Sequence, residues 1–133
     1  GLISGSRDGV STPEEISPSY EVIEDSPKAL ITVEGANHYG ITNEDNPERD
    51  PLRPTLEQDI ANETIARWSG LFLRASIFNE PDAFDYIYNT GASLDPNVTV
   101  ISETLSQTRS VPEPISFVSL LTFSILGFIN KRI

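Results

Sequence analysis

Ala29-Leu30-Ile31-Thr32-Val33, followed at once by Glu34-Gly35-Ala36-Asn37-His38-Tyr39-Gly40, is the stretch on which the reading of the fold turns. The first five residues are uncharged, rich in β-branched side chains and of strand length, with no polar alternation. Such a run suits a strand buried on both faces, as in a parallel sheet. The loop behind it places His38, the chain's single histidine, at the C-terminal end of that strand. Upstream, Gly1-Leu2-Ile3-Ser4-Gly5-Ser6 reads as the end of an earlier strand, with Asp8-Gly9 as a turn signal beyond it. Thr12-Pro13-Glu14-Glu15 opens a short helix, Thr12 serving as N-cap and Pro13 as first helical residue. Thirty residues separate Asp8 from His38, room for one helical crossover between parallel neighbours. The fold class is therefore α/β.

Downstream, Thr42 to Pro54 is a polar loop with several acids, and Thr55 is expected to begin the main helix, with Gln58 at capping-box spacing. Leu56, Ile60, Ile65, Trp68, Phe72 and Ala75 recur at intervals that build one broad apolar face. Trp68 is expected in the core. Ala83 to Tyr88 adds a short helical turn. Residues 89–110 read mainly as a polar linker in which Val98-Thr99-Val100-Ile101 forms a minor edge strand.

The chain has 133 residues, enough for one small domain, and a net charge of −11. Residues 1–112 carry −12 and residues 113–133 carry +1, and such a field repels phosphate backbones, which argues against nucleic-acid binding. With no cysteine, disulfides and thiolate metal sites are excluded; no metal and no cofactor is expected. The acidic loop Asn43-Glu44-Asp45-Asn46-Pro47-Glu48-Arg49-Asp50 has the oxygen ligands that Ca²⁺ prefers but lacks EF-hand spacing, so a solvated loop is the favoured reading.

The last residues are of another kind. Val111-Pro112-Glu113-Pro114 precedes the uncharged segment Ile115 to Ile129, and Asn130-Lys131-Arg132-Ile133 follows. As a helix, the 15 apolar-rich residues would extend roughly 22 Å, short of a bilayer core about 30 Å thick. Lys131 and Arg132 at its end favour the cytoplasmic side, which would put the rest of the chain outside the cytoplasm. Tripeptide, apolar segment and basic end together resemble the PEP-CTERM sorting signal of Gram-negative-type bacteria. That resemblance implies export to the cell envelope or surface, transient or permanent inner-membrane anchoring by a helix over residues 115–129, and an exosortase-type processing enzyme as partner. Pro112, Glu113, Pro114, Lys131 and Arg132 carry it. A sorting tail without an N-terminal signal leads us to expect a chain that continues upstream of Gly1.

Chemistry is expected where the two strands end. Residues at the C-terminal strand ends of an open α/β sheet share one crevice. An acid and an imidazole there, Asp8 and His38, form the orienting half of a Ser-His-Asp triad: the carboxylate fixes the tautomer and the ring moves the proton. Here the sequence resembles the C-terminal end of an α/β-hydrolase, near the dienelactone-hydrolase, chlorophyllase-like and cutinase-like esterases. Asp8 in Gly5-Ser6-Arg7-Asp8-Gly9, His38 in Gly35-Ala36-Asn37-His38, the chain order of acid before base, and Asn62 to Leu73 as a closing helix carry the resemblance over about residues 1–88. It implies the last strands of a hydrolase sheet, then the linker 89–110 and the tail 111–133, with a carboxylic ester as substrate. The family's Gly-x-Ser-x-Gly nucleophile elbow is absent; in Gly1-Leu2-Ile3-Ser4-Gly5 the serine abuts the second glycine. The chain alone is therefore expected to be inactive and poorly stable. The alternative is a non-catalytic cell-surface protein defined by its sorting tail.

Overall fold

The structure, a computed structural model, describes residues 1–104. The element order is β1 (Leu2–Gly5), α1 (Pro13–Glu21), β2 (Lys28–Val33), a 3₁₀ turn (His38–Ile41), α2 (Gln58–Ile77), α3 (Pro81–Asp85), a π turn (Tyr86–Thr90), α4 (Gly91–Leu94) and β3 (Val98–Glu103). β2 is the middle strand. Ala29, Ile31 and Val33 are inaccessible to solvent, as the continuous apolar run requires. β1 lies parallel to it, Leu2 opposite Leu30 and Gly5 opposite Val33. β3 lies antiparallel on the other side, Lys28 opposite Glu103 and Val33 opposite Val98. Mixed α/β content on a three-stranded sheet is thus the observed architecture.

The crossover α1 begins where the cap signal puts it, with the Glu15 carboxylate accepting from the Thr12 N–H at 3.1 Å. The start of α2 differs from the sequence reading. It begins at Gln58 with Glu57 as N-cap, not at Thr55. The reason is tertiary: the N–H groups of Thr55 and Leu56 both donate to the Gly35 carbonyl, at 2.8 and 3.2 Å, which holds them against the loop after β2. The apolar face also shifts. Ala61, Thr64, Ile65, Trp68 and Ala75 are buried, whereas Ile60 is 40% exposed. Trp68 is fully buried, in the core with Ile31, Val33, Ile87 and Val98, as expected of it.

The span read mainly as linker is corrected in part: the expected edge strand at Val98–Ile101 is present, extended to Glu103, but the residues before it are not linker. Residues 89–103 complete the π turn, form α4 and supply all of β3, which pairs with β2 along six residues. Asp95, at the end of α4, ties this segment to α2: its carboxylate accepts from Trp68 Nε1 at 2.7 Å and Arg67 Nη2 at 2.8 Å, and from the Asn97 N–H at 3.0 Å. Alternation along Val98, Val100 and Ser102, facing inward, against exposed Thr99, Ile101 and Glu103 gives β3 one covered face.

Among the described residues no helix is long and apolar enough to cross a membrane. The hydrophobic helix expected over residues 115–129, and the sorting-signal residues Pro112, Glu113, Pro114, Lys131 and Arg132, lie outside the described residues.

Candidate active site

The loops that leave β1 and β2 stay joined past the end of the ladder. The Ser6 N–H donates to the Val33 carbonyl at 3.0 Å and the Arg7 N–H to the Ala36 carbonyl at 2.9 Å. Ser6 Oγ accepts from the Gly35 N–H at 2.8 Å. Gly35 turns the chain with φ of +79°, a left-handed conformation that glycine adopts at no steric cost. Gly5 is needed for a different reason: a Cβ there would stand 2.3 Å from the Ala36 carbonyl oxygen. Gly5→Ala therefore forces the two loops apart, with an expected loss of about 1–3 kcal/mol. Chemical denaturation tests this; an unchanged midpoint would show that the close approach is not essential.

This double seam carries Asp8 and His38 to the same rim. Asp8 is buried, 6% exposed. Its Oδ1 accepts from the N–H groups of Val10 at 2.9 Å and Ser11 at 2.7 Å, so the carboxylate is held by its own turn. Its Oδ2 lies 3.0 Å from His38 Nδ1. As a carboxylate, Asp8 only accepts, so the shared proton sits on Nδ1. In the neutral ring the lone pair is then on Nε2, which has no hydrogen-bond partner among the described residues. The His38 side chain is 40% exposed, with its ring edge-on to Tyr39 at 5.5 Å between centroids. The backbone below the ring is set by Asn37, whose Oδ1 accepts from the Tyr39 N–H at 3.1 Å and opens the 3₁₀ turn. Asn37 Nδ2 donates to Asp45 Oδ1 at 2.7 Å and the Leu52 carbonyl at 3.2 Å. A ring fixed at Nδ1 and open at Nε2 has the arrangement of a general base.

The acidic loop is solvated along most of its length, as its composition suggests, with Asn43, Glu44, Pro47, Glu48 and Arg49 exposed; Asp45 and Asp50 depart from that. Asp45 meets Arg53 Nη1 at 2.9 Å, and Asp50 has no solvent exposure at all. The Asp50 carboxylate bonds the backbone on both sides of the candidate pair, a role that sequence reasoning missed. Nothing in its neighbours Arg49 and Pro51 distinguishes it from the exposed acids Glu44 and Glu48. Among the described residues no group of three or more acidic or imidazole side chains is arranged to hold a metal ion.

The structure thus brings together both residues picked out from the sequence, Asp8 and His38. Compared with protein-family models, with curated proteins and with solved structures, the chain matches none.

Proposed function

We propose that the chain is the C-terminal part of an exported serine hydrolase that cleaves carboxylic esters, with His38 as general base and Asp8 as its orienting carboxylate. The observation that carries this reading is the 3.0 Å contact of Asp8 Oδ2 with His38 Nδ1, beyond the C-terminal ends of the parallel strands β1 and β2. In this reading β1 and β2 are the last parallel strands of an α/β-hydrolase sheet and α2 is its closing helix.

The nucleophilic serine and the oxyanion donors come from sequence outside Gly1 to Ile133. The serine hydroxyl gives its proton to His38 Nε2 as its oxygen bonds to the ester carbonyl carbon. Collapse of the tetrahedral species breaks the ester C–O bond, and the leaving alcohol takes the proton back from Nε2. Water repeats the sequence and frees the carboxylic acid. Through both halves Asp8 holds the ring and balances the imidazolium.

The tail supplies the address. Pro112-Glu113-Pro114, the uncharged segment after it and Lys131-Arg132 support recognition by an exosortase-type enzyme and delivery to the cell envelope or surface of a Gram-negative-type bacterium. Residues 115–129 anchor the protein in the inner membrane, transiently or permanently.

Covalent capture tests the reading. The protein translated together with its upstream coding sequence should react with a fluorophosphonate at one serine, located by peptide mass spectrometry outside these 133 residues. Adding the His38→Ala change should suppress labelling. Absence of labelling in a folded protein that also leaves p-nitrophenyl esters intact would leave the non-catalytic, tail-defined surface protein as the better account.

A further inference from the structure

Asp50 belongs neither to the strand that presents Asp8 nor to the one that presents His38. It lies in the loop before α2, and its side chain is completely removed from solvent. A carboxylate in that position is costly unless its oxygens are satisfied. No arginine or lysine among the described residues forms an ion pair with it. Three backbone N–H groups satisfy it. Oδ1 accepts from Gly9 at 3.2 Å and from Leu52 at 2.9 Å, and Oδ2 accepts from His38 at 2.9 Å.

The origin of two of these donors is what matters. The Gly9 N–H belongs to the peptide unit that immediately follows Asp8. The His38 N–H is the main-chain group of the base itself. One buried side chain therefore spans the acid's loop and the base's loop, on the backbone side of the Asp8–His38 contact. We propose that Asp50 is a positioning residue: its carboxylate clasps the two loops together and sets the separation at which Asp8 Oδ2 meets His38 Nδ1. It touches neither the imidazole ring nor a substrate. The clasp stands on the geometry alone; its service to catalysis rests on the ester-hydrolase reading.

The chemistry of the clasp requires a carboxylate. Asparagine has the same shape but a single acceptor oxygen. Whichever way its amide turns, an NH₂ group faces an N–H donor, either that of His38 or those of Gly9 and Leu52. One loop is then released. The carboxylate is also held from behind, because the Asp50 N–H donates to the Asn46 carbonyl at 3.0 Å, so the side chain has little freedom to re-form the lost bond.

The test is ¹⁵N NMR of the 133-residue chain, reading the two ring nitrogens of His38. In the unsubstituted protein the Nδ1-protonated tautomer should dominate. Asp50→Asn should lower the ratio of Nδ1–H to Nε2–H forms by about tenfold, the effect of losing one hydrogen bond's worth of orientation, while the Trp68 indole N–H signal stays in place as a check on folding. A folded Asp50→Asn protein with an unaltered imidazole pattern overturns the proposal. Should that variant fail to fold, hydrogen exchange in the unsubstituted chain decides. Among the described residues the amides of Gly9 and His38 have no other acceptor, so both should exchange together and at least about tenfold more slowly than unprotected loop amides. Free exchange at His38 overturns the clasp. In the upstream-extended protein the same substitution should lower kcat and leave KM nearly unchanged. An intact clasp beside an inactive extended protein would refute the hydrolase reading and leave the clasp standing.

Discussion

Asp8→Asn in the upstream-extended protein should reduce kcat for p-nitrophenyl ester hydrolysis by roughly 10⁴-fold, with folding preserved. The size follows from the tautomer. An asparagine amide has both an acceptor and a donor, and its NH₂ group can face Nδ1 only if that nitrogen gives up its proton. The proton then resides on Nε2, the atom that must receive one from the serine. Two features keep the substitution clean. The Asp8 turn accepts through Oδ1 from Val10 and Ser11, and an asparagine oxygen retains those bonds. The ring keeps its edge-on contact with Tyr39. Steady-state kinetics beside circular dichroism would measure both parts. A variant that retains more than about a tenth of the activity would remove Asp8 from the assignment, since orienters of this kind contribute orders of magnitude more.

The second large effect concerns stability. Asp95→Ala should cost about 3 kcal/mol and lower the unfolding temperature by roughly 15 °C. The Asp95 side chain is 3% exposed, while its partner Arg67 is 39% exposed. On truncation Arg67 returns to water at little cost. The Trp68 indole N–H does not: the residue is fully buried and its donor is left without an acceptor, which makes the loss large. The same group predicts a pH dependence. Burial pushes the Asp95 carboxyl up, but hydrogen bonds from Trp68, Arg67 and the Asn97 backbone, with the Arg67 charge, outweigh it and leave the group below its ordinary value of 3.8. A carboxyl depressed in the folded state contributes stability above the unfolded value and loses it as pH falls through the folded one. The gap between the unsubstituted protein and Asp95→Ala should therefore be full at neutral pH and narrow as pH drops below about 3.8. Urea titrations across that range measure it; a gap of less than about 0.5 kcal/mol at neutral pH would show that the network is not a stabilising one.

The parts of this molecule legible in its sequence are those whose signals are local. The uncharged run Ala29 to Val33 marks a buried strand, Thr12 with Glu15 marks a helix start, and the 30-residue interval between Asp8 and His38 matches one crossover. Where distant backbone competes with a local signal, sequence reading fails. Thr55 has the spacing of a cap, yet the Gly35 carbonyl captures its N–H and that of Leu56, and the helix waits until Gln58. The segment around Asp95 is polar and short of long apolar runs, so it resembles a linker. Beyond the pairing of β3, its attachment to α2 comes from one carboxylate reaching a tryptophan 27 residues away, which no periodicity records. Asp50 is the sharpest case. In the sequence it is one acid among several; its burial is decided by two loops that close over it from different strands.

The strand–helix–strand unit from Leu2 to Val33, with the loop that follows it, holds both members of the Asp8–His38 contact at one end, and the Trp68 face of α2 covers the unit. Acid and base consequently travel as a single cassette. On the hydrolase proposal that cassette lends itself to a split reporter, in which a serine-bearing partner gains turnover only on docking beside β1.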